Sequence, residues 1–139
     1  MVCSRYYYYI YVAGSTYCCV ASLSLLGKST EVDDDTIRWL ASRQISTEDE
    51  EKGGFNGRVN KPADTCYSFW VGGALDILGV KEFVSSDMNR QYLLTYTQHA
   101  QLGGFGKEEG VYPGRPFREL MLNYRSITHL PRPGESYSQ

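Results

Sequence analysis

"TIRWLASRQ" at Thr36–Gln44 leads into "GGFNGR" from Gly53, and "RQYLLTYTQ" at Arg90–Gln98 leads into "GGFGK" from Gly103. A helix-forming segment that ends in Gln and runs into a Gly-Gly-Phe turn therefore occurs twice in one chain. Repetition of helix pairs in fixed order predicts a curved or closed array with its loops gathered on one side. Because each pair buries its apolar face only against its neighbours, such arrays contain several repeats. Two repeats are thus expected to be part of a larger array.

The segments around the repeat support the same reading. From Thr16 to Leu26 small and apolar residues recur at helical spacing, with Gly27 placed for a C-terminal cap, which predicts a buried helix. Asp33–Asp35 offer caps and favourable charge at the start of a second helix, whose stripe is Ile37, Leu40 and Ala41. A third helix is expected over Thr65–Leu78, carrying Phe69, Trp70, Ala74, Ile77 and Leu78 and stopping at Gly79. Gly72 and Gly73 inside it lower helix propensity but permit close packing. A fourth runs from Asp87 to Gln98, opened by Ser86 or Asp87 and carrying Tyr92, Leu93, Leu94 and Tyr96. No run alternates over strand length, and Glu48–Lys52 reads as a solvated acidic loop. The predicted class is all-α.

At 139 residues the chain has room for one modest core. A net charge of −2 provides no basic footprint, which argues against a nucleic-acid partner. Cys3, Cys18, Cys19 and Cys66 form no C-x-x-C pair, a usage that fits a reducing, cytoplasmic compartment. Tyr6–Gly27 is uncharged and long enough to cross a bilayer, but its tyrosines, hydroxyl residues and glycines dilute the hydrophobicity, so no membrane span is expected.

The chemistry concentrates in "NKPADTCYSFW", Asn60–Trp70. Asp64 and Cys66 are both competent zinc donors, and an i, i+2 spacing serves where a loop enters a helix. The same pair also suits a helix cap beside a buried structural thiol. Arg58 and Lys61, just before that helix, could hold a phosphate together with backbone amides, or be ordinary surface charges.

The run "GGFNGRVNKPADTCYSFWVGGALDILG", with "GSTYCCVASLSLLGK" and "IRWLASRQ" upstream and "NRQYLLTYTQ" and "GGFGK" downstream, resembles the β subunits of the protein prenyltransferases, and within them the type I geranylgeranyl group. The resemblance covers about residues 14–107, leaving 1–13 and 108–139 as non-matching ends, the second rich in loop-forming residues. It implies an α-α toroid, here partial, that pairs with a helical α subunit. That enzyme transfers a geranylgeranyl group from geranylgeranyl diphosphate to the cysteine of C-terminal CaaX-type motifs. Asp64 and Cys66 then correspond to zinc ligands, with the substrate thiolate at the open position. Arg58, Lys61 and Tyr67 correspond to residues that stabilise the diphosphate leaving group, and Trp70 and Cys18 to the isoprenoid pocket wall. Lys107 matches the type I pattern, in which an ammonium stands where the farnesyl enzymes use magnesium, so magnesium is not expected to be required. Thr65 fits the type I pattern as well.

The resemblance fails at defined places. The third family ligand is a His in a Pro-Asp-x-x-His run; here Pro113 is kept, but Gly114 and Phe117 replace the Asp and the His. His99 and His129 are out of register, and Val12 stands where the family has a His that touches the diphosphate. The isolated chain is accordingly expected to bind zinc weakly and not to turn over. The rival readings are a non-catalytic helical module that binds a partner, and a farnesyltransferase β subunit.

Overall fold

The computed structural model describes residues 12–45 and 53–113. Among the described residues four α-helices run in the order α1 (Ala13–Leu25), α2 (Asp34–Ala41), α3 (Thr65–Ile77) and α4 (Ser86–Gln91), and α4 continues into a π-helical segment over Tyr92–Thr97. Short 3-10 turns at Ser29–Glu31 and Lys81–Phe83 connect α1 to α2 and α3 to α4. Among the described residues there is no strand, only the antiparallel bridges Gln44 to Phe55 and Gln98 to Phe105.

The helix ends follow from the sequence. Asp33 Oδ1 accepts from the Thr36 amide at 2.8 Å, Asp64 Oδ1 from Cys66 at 3.0 Å, and Ser85 Oγ from Met88 at 3.2 Å. Each satisfies a first-turn amide that lacks an intrahelical partner. At the other ends α1 and α3 close alike. Gly27 and Gly79 both sit at φ +70°. Lys28 N donates to Leu23 O and Val80 N to Leu75 O, the paired-bond cap that a left-handed glycine permits.

The two halves therefore repeat in register. The caps Asp33 and Ser85 lie 52 positions apart, whereas Gln44 and Gln98 lie 54 apart. The second half carries two extra residues between cap and bridge, and the wide π turns at Tyr92–Thr97 take them up. A continuous α-helix over Asp87–Gln98 was the expectation; the structure caps it at Ser85 and departs from α geometry at Tyr92.

Among the described residues two clusters form the core. Ala13, Val20, Leu40, Phe55, Val71, Ala74 and Leu75 join the first helix pair to α3. Ala63, Tyr92, Leu93 and Phe105 form the second. Gly73 lets α1 approach closely, since a Cβ there would stand 3.1 Å from the Tyr17 ring. Helix α1 is less buried than its composition predicts. Only Ala13, Thr16 and Val20 are buried, and Cys18, Cys19, Leu25 and Leu26 are exposed, because α3 covers one face of α1 and the rest turns outward. In α2 the expected stripe reduces to one fully buried residue, Leu40, with Ile37 and Ala41 half-buried.

A candidate anion-binding site at the boundary of the two repeats

Each Gly-Gly-Phe loop seats against the start of a helix. Gly57 O accepts from Ala13 N at 2.9 Å, and Lys107 O accepts from Thr65 N at 2.8 Å. The loops turn alike: Asn60 at φ 61° and Gly110 at φ 75° are counterparts, and Asn tolerates this left-handed conformation better than most residues. In the first loop Gly57 faces the Tyr67 ring so closely that any Cβ would overlap it. The aligned position in the second loop is Lys107.

Between the loops lies a cavity of about 250 Å³, lined by Gly57, Arg58, Lys61, Pro62, Ala63, Asp64, Tyr67, Lys107 and Glu108. Its three cations face two carboxylates, which leaves one positive charge in excess. Lys107 Nζ stands 3.9 Å from Asp64 Oδ2, so a side chain of the second loop meets the cap of α3 across the cavity. Asp64 is fixed at three points. Its backbone amide donates to Phe55 O at 3.0 Å, Oδ1 caps Cys66, and Oδ2 faces Lys107.

Arg58, Lys61, Asp64, Tyr67 and Lys107, all singled out in the sequence, thus line one cavity. Cys66 is half-buried beside Asp64 and is not among the lining residues. Burial pushes its thiol well above the usual range, and the hydrogen bond and charge of Asp64 add to the effect. Burial likewise raises the Tyr67 phenol, with the neighbouring Cys66 and Asp64 adding to it, which keeps the ring oxygen a hydrogen-bond donor at neutral pH. The first amides of α3 are engaged, Thr65 N by Lys107 O and Cys66 N by Asp64. An anion here would meet side-chain cations, not the free helix amides that the sequence left open.

Trp70 is half-buried and packs edge-on against Tyr17 and Phe69, with ring centroids 5.1 and 4.9 Å away. Cys18 is exposed on α1, and neither it nor Trp70 lines the cavity. His99 packs on Tyr112 and accepts from Leu102 N. Gly114, Phe117, His129 and the acidic run Glu48–Lys52 lie outside the described residues. Among those described, no group of three His, Cys, Asp or Glu is placed to hold a metal ion.

Sequence reading missed Arg43 and Glu108. Arg43 is buried, lies 5.0 Å over the Trp39 ring, and donates to Trp39 O and Asn56 Oδ1. Its carbonyl accepts from Asn56 N at 2.9 Å, so one residue grips both ends of Asn56 and steadies the loop that carries Arg58. No local motif marks it, because the contact spans the acidic loop. Glu108 could be found only through its adjacency to Lys107.

Comparison with known proteins then places this geometry. Residues 12–116 match the family described as "Prenyltransferase alpha-alpha toroid domain". The chain is 35% identical over 112 residues to the type-1 geranylgeranyl transferase β subunit of Arabidopsis thaliana, covering 72% of this chain and 28% of that protein. To the Dictyostelium discoideum protein of the same name it is 34% identical over 120 residues, covering 84% and 30%. A solved structure, Candida albicans protein geranylgeranyltransferase-I complexed with GGPP, superposes with a TM-score of 0.74 at 34% identity, over 85% of this chain and 36% of that one. Shorter stretches match a type-2 geranylgeranyl β subunit of Arabidopsis thaliana and a farnesyltransferase β subunit of Pyricularia oryzae. The chain therefore spans about a third of the length of the relatives it matches.

Proposed function

Since this chain belongs to the prenyltransferase alpha-alpha toroid family and its helix pairs form an arc of that toroid, we propose that it is a portion of a type I geranylgeranyltransferase β subunit, whose cavity binds the diphosphate of geranylgeranyl diphosphate. One observation carries the reading: Lys107 meets Asp64 across a cavity also lined by Arg58, Lys61 and Tyr67.

In this role Arg58, Lys61 and Lys107 offset the charge that builds on the diphosphate as its bond to the isoprenoid breaks. Tyr67, a phenol protonated at neutral pH whose burial raises it further, donates to a leaving oxygen. Lys107 supplies a fixed positive charge where a divalent cation would otherwise stand, so anion binding proceeds without magnesium. Trp70, within its ring cluster, and Cys18 belong to the isoprenoid wall. Asp64 and Cys66 are proposed as two zinc ligands. The adjacent carboxylate and thiol suit that ion, but the described residues add no third donor, so a closed site is not met and weak zinc binding is expected of the chain alone. The partners are an α subunit and CaaX-type protein substrates, and the compartment is the cytoplasm.

Titration with inorganic pyrophosphate tests the core of this reading. Binding is expected with EDTA present, to fall about tenfold or more in Lys107→Ala, and to stay unchanged in Lys28→Ala at the far end of α1. Binding that requires magnesium, or that ignores Lys107, would overturn it. With an added α subunit, preference for farnesyl over geranylgeranyl diphosphate would move the assignment to the farnesyl enzymes, against which Lys107 and Thr65 speak. The second reading, a non-catalytic module that binds the α subunit, draws on the incomplete donor set; tight zinc at a stoichiometry near one would exclude it.

A further inference from the structure

The two Gly-Gly-Phe loops make the same backbone bond to the residue that precedes the bridging glutamine. Asn56 N donates to Arg43 O at 2.9 Å in the first loop, and Gly106 N donates to Thr97 O at 2.7 Å in the second. Both loops then reach the same left-handed turn, at Asn60 and at Gly110. That backbone bond is enough to build the loop, since the second loop forms with no side chain at position 106.

The first loop carries more than this. Arg43 Nη1 donates to Asn56 Oδ1 at 3.3 Å, while Nε donates to Trp39 O at 3.2 Å and Nη2 to Ser42 Oγ at 3.1 Å. The second loop has no such clamp: the Thr97 hydroxyl donates back to Leu93 O at 3.1 Å, and a glycine offers nothing to hold. The clamp also buries a charge. Arg43 is 6% exposed and, among the described residues, is held by neutral acceptors and the Trp39 ring with no ion pair, an arrangement that costs desolvation. Stability alone does not account for a buried guanidinium where the sister loop closes on a threonine.

What differs between the loops is what they present. Two residues past Asn56 the first loop places Arg58 in the cavity lining, where the second places Glu108. Between the clamp and Arg58 lies Gly57, the residue with the greatest backbone freedom, and its carbonyl is tied in turn by Ala13 N at 2.9 Å. The Arg58 side chain is exposed and must be ordered when an anion binds. Freedom already removed from its backbone lowers that cost.

We propose that Arg43 is a positioning residue for the anion site: by holding Asn56 at both its amide and its side chain, it fixes the backbone from which Arg58 meets the diphosphate. The assignment rests on the diphosphate reading of the cavity and names the buried residue that sets the pose of one of its cations.

Two measurements on the full chain separate the assignment from that reading. Without ligand, nitrogen relaxation should show the Arg58 amide less ordered in Asn56→Ala than in the parent, with the Glu108 amide unchanged. An Arg58 amide as ordered as in the parent would overturn the positioning role, whatever binds in the cavity. In titration with inorganic pyrophosphate, Asn56→Ala should bind about three- to tenfold more weakly, the range expected for one hydrogen bond. Made in an Arg58→Ala background, the same change should cost under about twofold, because the residue it positions is gone; in a Lys107→Ala background it should cost its full factor. Equal losses in the two backgrounds would show general damage to the site and overturn the proposal. Arg43→Lys keeps the charge but not the fork, and should reproduce Asn56→Ala in both measurements while retaining the parent's helical circular dichroism. A parent chain that binds no pyrophosphate, with Arg58 still loosened by Asn56→Ala, would overturn the diphosphate reading and leave Arg43 as the residue that holds the loop.

Discussion

The first and second repeats share a backbone plan and divide the chemistry. Both run from a capped helix through a Gln–Phe bridge into a loop with the same left-handed turn. In the first loop the Tyr67 ring occupies the space beside residue 57, so only glycine fits. In the second the aligned residue is Lys107, whose ammonium reaches the same cavity. The two frames are equivalent, and the site arises where they are made unequal: the first loop contributes Arg58 and Lys61, and the second helix pair contributes the aromatic donor Tyr67 and a single long cation, Lys107.

The sharpest break in that comparison is in the core. Leu40→Ala should cost about 2–5 kcal/mol, since the side chain is fully buried among α1 and α3 residues, whereas Leu94→Ala should cost clearly less in the monomer. Equal losses by chemical denaturation would show that the second repeat is covered after all. Next comes the loop pair. Gly57→Ala forces a methyl into the Tyr67 ring and should destabilise by about 1–3 kcal/mol, read as a lower midpoint in thermal melting. Lys107→Ala should cost under about 1 kcal/mol, because its contact to Asp64 is 3.9 Å long and its side chain more than half exposed.

The smallest difference lies in the caps. Asp33→Ala and Ser85→Ala should each cost about 1 kcal/mol. Only the first should depend on pH. The hydrogen bonds from Thr36 hold the Asp33 carboxyl below its ordinary value. Its contribution is therefore full above the unfolded pKa of about 3.9 and is lost as pH falls through the lower folded value. Stability curves of the two variants should converge on the parent differently in acid, with Asp33→Ala approaching it and Ser85→Ala keeping a constant offset.

The caps were legible because their evidence is local, whereas Tyr67 joined Arg58 and Lys61 as a candidate only through resemblance. Asp33, Asp64 and the glycines at 27 and 79 act on residues within one turn. The sequence offered Ser86 or Asp87 to open the fourth helix, and the cap falls one residue earlier because Gln44, 41 positions away, fixes the Ser85 backbone. The π turns were invisible because Tyr92, Leu93 and Leu94 satisfy a helical pattern equally well in either geometry; the extra residues show only when the two repeats are counted against each other. Lys107 entered the candidate set through resemblance, and its reach to Asp64 depends on loop docking that spacing does not encode. Burial of α1 was overstated because composition records apolar content, not which face a neighbour covers.

The hydrogen bond from Asp64 N to Phe55 O ties the start of α3, in the second repeat, to the Gly-Gly-Phe loop of the first, directly beside the cavity. In a nearest-neighbour array, such a joint belongs to the interface free energy and not to either unit's own stability. A ligand held there is bound only by molecules in which both units are folded and docked, so it stabilises by linkage in proportion to its saturation. Occupancy would then act as a coupling agent: adding pyrophosphate should steepen the unfolding transition as well as shift it, merging two partly independent meltings into one.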